Sequence, residues 1–206
     1  MLGPFVGLCR ALGRIAVSLS PGSSIDRIET EFLGRIAERD TRLLAIQVLL
    51  GVLAGHTDED AGVVNAPAMA EERGIELIET RDAISEDFTE LVVVRLHAGD
   101  ESVEVAGTGV GPRNIPYLAR VWGEDFYLPF AEHLAIFRYR DQPGMIGRVG
   151  TIFGEEGVNI VSAAVGAELG GETAVMALTT DAPVNPATID RILELDGFSV
   201  GRAVSL

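Results

Sequence analysis

The chain has 206 residues, 47% of them hydrophobic, and a single cysteine, Cys9. That is enough apolar material for one large core or two smaller ones, which excludes a disordered chain, and one cysteine excludes an internal disulfide and a cysteine-cluster metal site. A formal net charge of −15, with all sixteen basic residues arginine, excludes the basic face selected by nucleic acid or anionic lipid; no uncharged apolar run approaches the roughly 20 residues that span a bilayer.

The N-terminus lacks a basic leader, and Arg10 and Arg14 interrupt the apolar stretch that follows, so no signal peptide is expected and the location expected is cytoplasmic. Phe5, Leu8, Cys9, Leu12, Ile15, Ala16 and Leu19 recur at three- and four-residue intervals, which predicts an amphipathic helix over residues 4–19. After the loop Pro21-Gly22-Ser23-Ser24, Ile28, Thr30 and Phe32 alternate with charged residues as in a half-buried strand. Asp40 is expected to cap a helix over 41–54 that is apolar on nearly every side, and Asn65 to cap a short helix carrying Pro67 and ending at Gly74.

Residues 75–80, 88–97 and 102–106 read as strands. Gly107-Thr108-Gly109-Val110-Gly111 is not a dinucleotide loop, because Pro112 and Pro116 stand where the helix of such a loop would begin; a glycine bend is expected instead. Trp122-Gly123-Glu124-Asp125 turns the chain into a strand over 126–130, and Ala131-Glu132 is the expected domain boundary. The remainder reads as strand 134–140, helix from Pro143 to Gly157, strand 161–168, a turn at Gly170-Gly171, strand 173–179, helix capped by Asn185 and stopped at Gly197, and strand 198–204. The predicted class is α+β: a mixed α/β domain over 1–131 with its N-terminal helix, then a ferredoxin-like βαββαβ domain over 132–206.

No catalytic set is visible, since His56, His97 and His133 have no metal-ligand spacing and no partnered nucleophile. The chemistry lies in the turn after the first strand of the second domain. Exposed N–H groups of Gly144, Met145 and Ile146 at a helix start favour a carboxylate, and Asp141 is placed either to cap that helix or to meet a cation. A ligand with both charges a few ångströms apart is an α-amino acid, and Tyr139 and Asn159 can add neutral hydrogen bonds.

Tyr139-x-Asp141-x-Pro143-Gly144 followed by Gly157-Val158-Asn159-Ile160 resembles the ACT domain, in the serine-binding version found in D-3-phosphoglycerate dehydrogenases. Val64-Asn65-Ala66-Pro67 with Met69-Ala70-Glu71-Glu72-Arg73-Gly74 resembles the intervening regulatory domain of the long form of that family. The resemblance implies a regulatory region that binds L-serine or a similar small amino acid through Tyr139, Asp141, Pro143, Gly144, Met145, Ile146 and Asn159, and that forms homodimers through its ACT domains. The resemblance assigns no anion-site residue in the first domain; Arg113 and Arg120 are the candidates there, with surface ion pairing as the plainer role. The family's catalytic residues and NAD lie in a part not represented in this sequence, so this chain is expected to hold no cofactor or metal. Two further readings stay open: a free-standing amino-acid sensor, and the regulatory partner of an iron–sulfur L-serine dehydratase, whose cluster one cysteine cannot hold.

Overall fold

A computed structural model describes residues 3–20, 22, 24–54, 61–167 and 171–206. Pro21, Ser23, His56, Glu168 and Gly170, which enter the expectations above, lie outside the described residues. The chain divides into two compact units, Met1–Ala119 and Arg120–Leu206. The class is α+β, as the alternating periods of the sequence predict.

The elements that build the first sheet run in the order α1 (Gly3–Leu19), β1 (Arg27–Gly34), a 3₁₀ turn (Arg35–Glu38), α2 (Arg42–Leu53), α3 (Ala66–Glu72), β2 (Glu76–Asp82), β3 (Glu90–Ala98), β4 (Glu101–Val110), β5 (Ile115–Val121) and β6 (Glu124–Pro129). The sheet order is β2-β1-β3-β4-β5-β6. β1 pairs parallel with β2 and antiparallel with β3, so it occupies an inner position. Its sequence is fitted to that place: Ile28, Thr30 and Phe32 are buried on one face while Arg27, Glu29 and Glu31 remain half-buried on the other.

α1 packs on α2, β3 and β4 of this unit. The glycine-rich stretch is not a bend. Gly107, Thr108 and Gly109 continue β4, and a Cβ at Gly107 would meet the side chains of Leu8 and Leu12 of α1, while one at Gly109 would meet Asn114 and Phe5. Glycine is needed there because the helix lies close on the strand.

Two caps also differ from expectation. Thr41, not Asp40, stands at the N-cap of α2, and the Asp40 carboxylate takes the Arg42 N–H at 3.3 Å and its guanidinium at 2.8 and 2.5 Å. That guanidinium holds the Asp40 carboxyl well down, at about 2. Asn65 is in the N-cap position of α3 but makes no cap bond; its Oδ1 accepts from the Gly62 N–H at 2.6 Å.

Cys9 is fully buried in α1, and the apolar surroundings push its thiol far above the ordinary range. The native protein is therefore expected to resist iodoacetamide at pH 8.5. Labelling should begin only at denaturant concentrations that unfold the first unit, and rapid native labelling would contradict this burial.

The second unit contains β7 (His133–Arg140), α4 (Met145–Glu155), β8 (Ile160–Ala167), β9 (Thr173–Thr180), α5 (Pro186–Leu193) and β10 (Phe198–Ser205). Its sheet order, β10-β7-β9-β8, is the ferredoxin-like arrangement expected from βαββαβ connectivity. Both helices press on one face through a core that includes Phe137, Phe153, Met176, Ile189 and Ile192. Phe137 meets Phe153 and Phe198 edge-on, with ring centroids 6.3 and 5.9 Å apart. Asn185 caps α5 as predicted, accepting from the Ala187 N–H at 3.0 Å. No helix among the described residues is long and apolar enough to cross a membrane.

Candidate functional site

The turn between β7 and α4 carries most of the expected binding residues. β7 ends at Arg140, whose N–H donates to the Gly197 carbonyl at 2.7 Å, and the Asp141 N–H donates to the Glu172 carbonyl at 3.0 Å. The backbone is thus tied to strands on both sides before it turns. Asp141 is exposed, and its carboxylate accepts no hydrogen bond and forms no ion pair among the described residues.

Asp141 is not the helix cap. α4 begins at Met145, with Gly144 as its N-cap in the left-handed conformation (φ 93°) and no side chain capping the first turn. Pro143 accordingly lies in the turn and not in the helix. The left-handed N-cap suits glycine, which has no Cβ to oppose it. Since the first N–H groups of a helix have no partner within it, the absence of a side-chain cap leaves amides of this turn available beside the Asp141 carboxylate. Ile146 is 58% exposed, whereas Met145 is buried in the core.

Tyr139 is placed differently from the other candidates. Its ring is buried on the helix side of the sheet, 5.6 Å from the ring of Phe198. Burial, and then the charge of Asp141, push the phenol pKa upward, so its hydroxyl keeps its proton. Two residues overlooked in the sequence hold the turn. Gln142 Nε2 lies 3.4 Å from Met145 Sδ, and Arg148 Nη1 donates to the Asp196 carbonyl at 3.1 Å. The Arg148 contact leaves no local pattern, because it depends on how α4 and the loop before β10 meet.

Open clefts flank the turn. One of about 680 Å³ runs between α4 and α5 past Gly144, Gly147, Arg148 and Arg191; another of about 750 Å³ borders Asp141, Glu172, Asp196 and Ser199. Arg191 is engaged by Glu155 and Glu156.

Asn159 is remote from the turn within one chain. It precedes β8, where its N–H donates to Asp181 at 3.1 Å and its carbonyl accepts from the Asp181 N–H at 3.2 Å. Ile160 pairs with Thr180 at one end of β9, while Arg140 pairs with Thr173 at the other. Seven strand residues separate those ends, about 23 Å at 3.3 Å per residue. A small amino acid cannot bridge that distance.

β8 is an edge strand with an uncovered apolar side. Val165 pairs with Met176, and Ala163 with Leu178, so they share the face of the core, yet Val165 is 40% exposed and Ala163 is exposed as well. Along α4, a Cβ added at Gly147, Gly150 or Gly154 would meet nothing within 4 Å. Outside this region, Arg120 is held by Asp125 at 2.6 and 3.3 Å, and Arg113 is exposed in the turn after β4.

The unit is ferredoxin-like with a polar turn after its first strand, and residues 133–197 match the family model described as the ACT domain. Residues 1–116 match the D-3-phosphoglycerate dehydrogenase intervening domain. The chain belongs to the D-3-phosphoglycerate dehydrogenase intervening-domain family and carries the regulatory region of such enzymes, an intervening domain followed by an ACT domain. Among curated relatives, it is 33% identical to a D-3-phosphoglycerate dehydrogenase of Mycobacterium leprae over 89% of this chain and 35% of that one. It is 30% identical to one of Archaeoglobus fulgidus over 95% and 37%, and 32% identical to D-3-phosphoglycerate dehydrogenase 3, chloroplastic, of Arabidopsis thaliana over 93% and 35%. The chain thus spans little more than a third of the length of these relatives.

Proposed function

We propose that this chain is the feedback-sensing region of an NAD-dependent D-3-phosphoglycerate dehydrogenase of serine biosynthesis, and that its ACT domain binds L-serine between two copies. The observation that carries the reading is the pairing of opposite polarities on one turn: a free Asp141 carboxylate beside uncapped amides of the α4 start. The ammonium of serine meets Asp141, and its carboxylate meets the Gly144, Met145 and Ile146 amides. Tyr139 contributes only its hydroxyl, since its ring belongs to the core.

Asn159 enters from the second copy. In a two-fold pairing of β8 against β8, the strands run antiparallel, so the start of one lies beside the end of the other. The end of β8 is the end near the Asp141 turn, because Ala167 pairs with Ala174 beside Thr173. The partner's Asn159 therefore approaches a turn that it cannot reach within its own subunit.

The exposed Val165 on the end strand β8 and the glycine face of α4 make this dimer testable before any ligand is added. Val165→Arg introduces like charges into the pairing and should turn a dimer of the wild-type chain into a monomer in sedimentation velocity at micromolar concentration. Near-wild-type circular dichroism would verify folding. A wild-type monomer, or a Val165→Arg protein that still dimerises equally well, would remove the bridged site.

A further inference from the structure

Two consecutive carbonyls of the loop before β10 fasten the turn between β7 and α4. The Arg140 N–H donates to the Gly197 carbonyl at 2.7 Å, and Arg148 Nη1 donates to the Asp196 carbonyl at 3.1 Å. Gln142 Nε2 lies 3.5 Å from the same Asp196 oxygen. These anchors bracket the proposed ligand groups, since Arg140 precedes Asp141 and Arg148 follows Ile146. The approach is close: Gly197 has φ 100°, and an ideal Cβ there would stand 2.7 Å from Gln142 Nε2 and 3.1 Å from Met145 Cε. Glycine lets the loop lie against the turn.

The start of α4 needs an external hold. Its N-cap, Gly144, has no side chain to bond the first amides, and Gly147 in the same turn adds conformational freedom. The Arg148 N–H closes that turn on the Gly144 carbonyl at 3.1 Å. Arg148 therefore completes the turn with its backbone and, through a charged donor on a carbonyl, ties it to the loop before β10 with its side chain. Asp141 is tied separately, its N–H on the Glu172 carbonyl at 3.0 Å.

We infer that Arg148 is a positioning residue of the amino-acid site. By holding the α4 start on the Asp196 carbonyl, it sets the separation between the Asp141 carboxylate and the Gly144, Met145 and Ile146 amides without itself contacting the ligand. This role rests on the serine reading above for what is bound, whereas the hold itself is present without ligand. The two charges of an α-amino acid have a nearly fixed spacing. A turn that keeps its donors and its acceptor at one separation binds such a ligand with less ordering on association than a turn that frays.

The test combines NMR hydrogen exchange on the ligand-free chain with calorimetry using L-serine, for the wild type, Arg148→Met, Arg148→Lys and Arg191→Met. Arg148→Met keeps the aliphatic stem and loses the donor. Protection of the amide at position 148 should fall about three- to tenfold, and serine affinity by a similar factor, with thermal stability nearly unchanged. Arg148→Lys restores a cationic donor and should recover most of both. Arg191→Met removes a cation from the same cleft, one already engaged by Glu155 and Glu156, and should change neither. Unchanged protection in Arg148→Met would overturn the inference, and if serine affinity fell all the same, Arg148 would be a direct ligand contact. Lower protection with unchanged serine affinity would overturn it as well. A wild-type chain that binds no serine would count against the serine reading alone, because the exchange measurement needs no ligand.

Discussion

Gly51→Ala should destabilise the first unit by about 1–3 kcal/mol or more, although alanine is the better helix former by roughly 1 kcal/mol. The opposing effect is contact. An ideal Cβ at Gly51 would stand 2.1 Å from the Arg10 carbonyl oxygen, and one at Gly13 would stand 2.1 Å from the Val48 carbonyl oxygen. Both obstacles are backbone, so no rotamer change relieves them, and α1 and α2 must separate. Separation would disturb a core in which Leu8, Leu12, Ile15, Val48 and Val52 are at most 2% exposed. Gly7→Ala is the control, because Gly7 is exposed in the same α1 and its Cβ would meet nothing within 4 Å. Urea unfolding should show the midpoint falling for Gly51→Ala and rising for Gly7→Ala, the latter by about 0.5–1 kcal/mol. A stabilised Gly51→Ala would mean that the helices do not cross at these glycines.

The second large effect concerns the ligand. Under the proposed function, Asp141→Ala removes the carboxylate assigned to the serine ammonium, a charge-assisted hydrogen bond worth about 1.5–3 kcal/mol, so affinity should fall roughly ten- to more than a hundredfold. Stability should hardly change, because Asp141 is exposed and its carboxylate caps nothing. That separation distinguishes a ligand group from a structural one. Calorimetry with L-serine measures the first quantity and thermal unfolding the second; unchanged affinity would remove Asp141 from the site.

Much of the architecture is legible in local patterns. The alternation of Ile28, Thr30 and Phe32 marks β1, and Asn185-Pro186 opens α5, because burial on one face and a missing N–H are properties of the residues themselves. Gly157, at φ 71°, closes α4 for the same kind of reason. What the sequence leaves unread depends on distant neighbours. Gly107 and Gly109 look like a bend until α1 lies across them. Parallel pairing of β1 with β2 joins strands separated by α2 and α3, and no local period encodes it.

The site divides in the same way. Gly144 is recognisable because a Pro-Gly turn before a helix needs glycine locally. The αL conformation of Gly144, which passes the N-cap from Asp141 to a residue with no side chain, follows from how the Arg140 and Asp141 amides are tied to Gly197 and Glu172. Tyr139 joins the core because strand parity, set by its pairing with Ala174, turns it toward the helices. Asn159 is recognisable as a residue, but its distance from Asp141 emerges only from the register of β9 with its two neighbours.

That distance makes subunit bridging the central claim. Under the proposed function, serine held by Asp141 of one copy and Asn159 of the other binds the paired state more tightly and so tightens the pair by its differential affinity; typical couplings of 1–3 kcal/mol correspond to about 5–150-fold. The direct measurement is the dimer dissociation constant from sedimentation equilibrium, with and without saturating L-serine, for the wild-type chain and for Asn159→Ala. The expected result is a smaller constant with serine for the wild type, and equal constants in both conditions for a folded, dimeric Asn159→Ala. Equal constants for the wild type would contradict regulation by a serine molecule shared between two ACT domains.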